Sequence, residues 1–84
     1  PKAPRPGLTF KEKHILEKLP ARLEGLQAEI DRCQAILEDA ELFARDPDKF
    51  EKTATALKKL QDEHATAEEQ WLTLEMKREE AEGA

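Results

Sequence analysis

Apolar side chains recur along this chain in alternating steps of three and four. Leu16, Leu19, Leu23, Leu26, Ile30, Cys33 and Leu37 form one such run, and Phe50, Thr53, Leu57, Leu60, His64, Ala67, Trp71, Leu74 and Arg78 keep the same steps in a second. This is the a/d repeat of a coiled-coil seam, narrower than the apolar stripe of a helix in a globular core. The second run weakens at Thr53, His64 and Arg78. Between the runs, Glu41 to Asp46 breaks the repeat, and Asp46 followed by Pro47 supplies an N-cap and a first-turn proline. A helix is therefore predicted over 47–82, with Gly83 as its stop. A loop of about six residues folds the two runs back on each other antiparallel, with seam partners whose numbers sum to about 90. This register sets Leu37 by Thr53, Cys33 by Leu57, Ile30 by Leu60, Leu26 by His64, Leu23 by Ala67 and Leu19 by Trp71. Leu42 and Phe43 are placed to plug the loop end.

Upstream, Thr9, Phe10, Lys11 and Glu12 have the form of a capping box, which predicts a short helix over 10–18. Leu19 and Pro20 interrupt it, because proline has no amide hydrogen for the carbonyl of Leu16 and disfavours helical geometry at the residue before it. A second helix then runs over 20–40. At about 1.5 Å per residue the last helix spans roughly 50 Å and the second roughly 30 Å. The short first helix fills the difference, with Phe10, Ile15 and Leu16 available to cover Trp71, Leu74 and Met76. Whether it continues in line after a kink or folds back is left open. The prediction is all-α: an antiparallel two-helix coiled-coil hairpin over 9–84, with a short N-terminal helix packed at the open end. Residues 1–8, with three prolines and two basic side chains before Leu8, read as a basic linker from a preceding segment.

Composition narrows the chemistry. The chain has 84 residues, 39% of them charged, and a single cysteine, so no internal disulfide stabilises it. Regular helix packing is the remaining source of stability for a core this small. No apolar run reaches transmembrane length and no signal-peptide pattern opens the chain, so a soluble cytoplasmic protein with no membrane contact is expected. Cys33 lies on the seam as a small hydrophobe, and His64 lies there as a packing residue that helps to set register. His14 and His64 fall roughly 18 Å apart in the aligned hairpin, too far to share a metal. A two-helix rod has no water-excluding cleft in which paired carboxylates acquire shifted pKa values, and the three glycines do not make a phosphate-binding loop. The domain is predicted to be no enzyme, with no catalytic residue, metal or cofactor of its own.

The net charge of −5 is unevenly distributed. Residues 1–22 hold Lys2, Arg5, Lys11, Lys13, Lys18 and Arg22 against Glu12 and Glu17, whereas residues 23–84 hold eight basic and seventeen acidic side chains. An anionic partner would approach the basic end. In the predicted register Lys77 and Arg78 come level with Lys13 and Glu12. Lys11, Lys13, Lys18, Arg22, Lys77 and Arg78 thus form a candidate phosphate-contacting cluster, with Arg45 and Lys49 at the loop tip as a second candidate. Trp71, the one tryptophan, reads as an anchor against Leu19, with base stacking the alternative. The residues expected to carry the structure are Leu19, Pro20, Leu23, Leu26, Ile30, Leu57, Leu60, Trp71 and Leu74.

The string Leu8, Thr9, Phe10, Lys11, Glu12, then Leu16, Glu17, Leu19, Pro20, Ala21 and Leu23, then Leu42, Phe43, Ala44, Arg45, Asp46, Pro47, Lys49 and Phe50, and finally Trp71, Leu74 and Glu75 resembles the C-terminal domain of Uup-type ABC-F ATPases. The resemblance implies a soluble ATPase whose C-terminal coiled coil follows a proline-rich basic linker, with ATP and Mg2+ belonging to the ATPase domains. It also implies a non-catalytic domain that binds DNA or ribosomal RNA. The competing expectation is a protein-interaction or spacer arm that positions or regulates its own ATPase domains. The hairpin, with caps of its own at the loop, is expected to be a monomer, although the same heptads allow a dimer.

Overall fold

The structure, a computed structural model, describes residues 7–83. The predicted linker therefore lies outside the described residues, except for Gly7 and Leu8. Three helices follow: α1, Phe10–Leu37; α2, Leu42–Arg45; and α3, Pro47–Gly83. Helices α1 and α3 lie antiparallel along a rod of 69 × 16 × 14 Å, and α2 sits at the turn between them. The all-α hairpin is as the heptads predict.

The capping box at the start of α1 is complete. Thr9 Oγ1 accepts from the Glu12 N–H at 3.0 Å, and the Thr9 N–H donates to Glu12 Oε1 at 3.0 Å. From there α1 continues for 28 residues, with Pro20 inside it. This corrects the predicted boundary between helices over 10–18 and 20–40. An interior proline costs roughly 3 kcal/mol, whereas burying a leucine side chain contributes about 1.5–3 kcal/mol. Leu19 is 3% exposed, and Ile15, Leu16 and Leu23 pack on the same cluster. A break at Leu19 would take these side chains off the seam, so their burial outweighs the proline. The first segment is thus the opening turns of α1, running in line and still packed at the open end.

Every seam position named from the sequence is buried or half-buried, apart from Arg78. Leu19, Leu26, Ala67 and Leu74 form one buried cluster, flanked by Leu23, Leu60 and Trp71. Ile30 and Leu42 are buried further toward the tip, and Leu57 is half-buried there. The register also holds. Lys77 bonds to Glu12, a pair whose numbers sum to 89, and Gln27 shares a groove with His64, as Pro20 does with Trp71, both pairs summing to 91.

Two expectations at the ends need correction. Phe10 does not cover the open end: it is 88% exposed, because the N1 position of this helix faces away from α3, and Met76 is exposed as well. Leu8 takes the place expected of Phe10, packing on the cluster from just before the N-cap. At the tip α1 stops at Leu37, three residues early. The Asp39 carboxylate accepts from the Glu41 N–H at 3.0 Å and from Arg45 at 2.8 Å, holding a turn that leads into α2. Leu42, 2% exposed, plugs the end, while Phe43 stays outside with its ring edge-on to Phe50 at 5.3 Å. Asp46 caps α3 as expected, accepting from the Lys49 N–H at 3.1 Å.

Urea denaturation checks this account of the helix. Leu26→Ala is expected to lose about 2–5 kcal/mol and Phe10→Ala less than about 0.5 kcal/mol. Pro20→Ala is expected to gain up to about 3 kcal/mol; a loss instead would show that the proline ring is needed in the fold.

Candidate nucleic-acid interface

Continuity of α1 through Pro20 determines where its cations point. Lys11, Lys18 and Arg22 are separated by seven and four residues, so they line up on one flank of α1. Lys13 falls on the opposite flank, where it shares a groove with Glu17, Glu75 and Arg78. All four are exposed and form no ion pair with a described residue.

On the α3 side of the first flank, Thr66 and Gln70 share a groove with Arg22, and steps of three and four continue this face to Thr73 and Lys77. These four α3 positions carry no carboxylate. Asp62 and Glu63 line the same groove beside Arg22 and mark the end of the basic stretch.

The remaining candidates are engaged in the fold. Lys77 Nζ donates to both carboxylate oxygens of Glu12, at 2.9 and 3.1 Å, which ties α3 to the N-cap of α1. The Glu12 carboxyl is held below its ordinary value, first by the Thr9 backbone N–H and then by Lys77. Lys77 is therefore part of the clasp at the open end. Arg78 Nε donates to Glu75 at 3.2 Å, and its guanidinium also approaches Glu82 at 3.9 Å. These carboxylates raise its pKa, Glu75 foremost. At the tip, Arg45 pairs with Asp39 at 2.8 Å, which lowers the Asp39 carboxyl and raises the guanidinium. Lys49 is exposed and lies near enough to Asp39 to lower its carboxyl further.

Of the eight basic residues named from the sequence, the structure brings Lys11, Lys18 and Arg22 together on one flank. It sets Lys13 and Arg78 on the other, uses Lys77 as a clasp, and leaves Arg45 and Lys49 at the far end of the rod. Lys2 and Arg5 lie outside the described residues. The three-residue alignment was present in the spacing, but a helix break at Pro20 assigns Arg22 to a different helix and hides it. Among the described residues no group of three or more His, Cys, Asp or Glu side chains is placed to hold a metal ion, and no helix is long and apolar enough to cross a membrane.

A family model described as the ABC transporter C-terminal domain matches residues 7–76. No curated protein and no solved structure matches the chain significantly.

The Glu12 clasp makes a pH-dependent contribution to stability with a definite sign. Its folded-state pKa lies below the ordinary value of 4.5, so the stabilisation is present above that value and is lost as the pH falls through the lower folded value. Glu12→Gln keeps the capping acceptor but removes the charge facing Lys77. Thermal melts of the two proteins should therefore differ at neutral pH and converge in acid. A constant gap across that range would show that the ion pair contributes nothing.

Proposed function

The chain belongs to the ABC transporter C-terminal domain family, and from that footing we propose that this accessory domain of an ABC protein is a non-catalytic nucleic-acid-binding unit. Its partner is DNA or structured RNA, ribosomal RNA included, and the contacts are to phosphates. The observation that carries this reading is the alignment of Lys11, Lys18 and Arg22 on one exposed flank of α1, opposite an α3 face whose Thr66, Gln70, Thr73 and Lys77 carry no negative charge.

Three cations separated by eleven helical steps in all extend along about 16 Å. That length suits successive backbone phosphates and offers no base-reading element, so the contact is blind to sequence. Lys13 and the basic residues Lys2 and Arg5 add to the general attraction at this end. Arg45 and Lys49 are a minor second contact, because Asp39 already holds the guanidinium.

The activity of the whole protein belongs to ATPase domains beyond this chain, where ATP and Mg2+ would be used. The three glycines of this chain do not make a nucleotide-binding loop. On this reading the protein works in the cytoplasm as a soluble ATPase, and the domain holds its nucleic acid close to the ATPase body.

Electrophoretic mobility shift with duplex DNA and with RNA, over a salt series, tests the proposal. About three phosphate contacts predict a logarithmic salt slope of roughly −2 to −3, which the triple variant Lys11→Glu, Lys18→Glu, Arg22→Glu should abolish together with binding. Lys13→Glu should weaken binding much less. A shift that survives the triple variant, or no shift of either nucleic acid at low salt, would remove the assignment.

A further inference from the structure

The second flank of the rod is built differently. Glu17, Glu24 and Asp31 recur every seven residues on α1, one position outside the residues that border the seam, and Glu68, Glu75 and Glu82 recur likewise on α3 beside it. The two sets lie on the same side. Glu24 shares one groove with Glu68, and Glu17 shares the next with Glu75 and Glu82 and with the cations Lys13 and Arg78. Positions beside a coiled-coil seam ordinarily carry opposite charges that attract across it. Here Glu24 and Glu68 line one groove without a cation between them, whereas further along Glu75 and Glu82 pair with Arg78. Neither Glu24 nor Glu68 forms an ion pair with a described residue.

Between these two carboxylates the groove floor is apolar. Pro20, Leu23, Trp71 and Leu72 line it, with Pro20 exposed, Leu72 51% exposed, and Leu23 and Trp71 half-buried. Pro20 is also the residue least suited to the interior of α1, and its ring is not in the core. An apolar strip bordered by two unpaired carboxylates, Glu24 and Glu68, matches a helix with apolar side chains along one stripe and a basic side chain on either side of it.

We propose that this flank is a docking site for a basic amphipathic helix of a protein partner. Its apolar residues would seat over Trp71 and Leu72, and its Lys or Arg residues would reach Glu24 and Glu68 on either side. The inference does not depend on the nucleic-acid reading, because no residue of the basic flank enters it.

Trp71, the only tryptophan, reports directly on the groove. The full 84-residue chain is titrated with a synthetic Leu/Lys peptide of about five helical turns whose leucines fall on one stripe, and with a peptide of equal composition whose leucines are scattered. The striped peptide is expected to shift Trp71 emission to the blue and to bind more tightly than the scattered one. Leu72→Lys, at a half-exposed position that leaves the fold intact by circular dichroism, should weaken binding about tenfold or more. Gln70→Lys adds the same charge on the opposite flank and should leave affinity nearly unchanged. Equal binding of the two peptides, equal weakening by the two variants, or unshifted emission at saturation would overturn the proposal, since each marks general attraction to an acidic rod or no binding in the groove.

Discussion

The seam between α1 and α3 is the interaction on which the rest of the molecule depends. A rod 16 × 14 Å across has room for one line of side chains between its helices and for no second core. Leu19, Leu26, Ala67 and Leu74 form the buried part of that line, and the half-buried residues on either side complete it. Each apolar position therefore supplies a large share of the total stability, which is why α1 continues through a proline to keep Leu16, Leu19 and Leu23 in place. The grooves lined by Lys13, by Arg22 and by Trp71 all lie along the outside of the rod.

Each end of the seam is closed by a carboxylate that makes several contacts. At the open end Glu12 completes the N-cap of α1 and holds Lys77 of α3. At the tip Asp39 accepts from the Glu41 N–H and from Arg45, setting the turn that buries Leu42. These contacts occupy cations that a charge count assigns to a ligand. A lysine already bonded to two carboxylate oxygens has less to offer a phosphate than one that is solvated, so the usable positive surface is smaller and more localised than the composition suggests.

The seam also divides the surface in two. Because the helices are antiparallel, residues seven apart stay on one flank along the rod, and the two flanks carry different side chains. One carries the Lys11, Lys18 and Arg22 stripe, and the other carries Glu24 and Glu68 on either side of an apolar strip, with Lys13 and Arg78 nearer the open end. A net negative charge is thus compatible with a local phosphate-binding face, since Lys11, Lys18 and Arg22 share one flank and form no ion pair with a described residue.

The all-α hairpin, its seam and its register were legible along the chain, though not the extent of α1. Steps of three and four, a capping box, and Asp46 before Pro47 are local signals, and they act within one or two helical turns. The resemblance to an ABC-type C-terminal domain was legible for the same reason, being carried by the Leu-Pro step, the Ala-Arg-Asp-Pro turn and the late tryptophan. Tertiary structure alone decided the outcome at Pro20, where burial of leucines against α3 competes with a local helix-breaking preference and exceeds it. It likewise exposed Phe10, seated Leu8 in its stead, and separated bonded cations such as Lys77 and Arg45 from solvated ones such as Lys11 and Lys18. These outcomes depend on which side chain of a distant segment lies within a few ångströms, and that distance is set by packing across the hairpin rather than by neighbours along the chain.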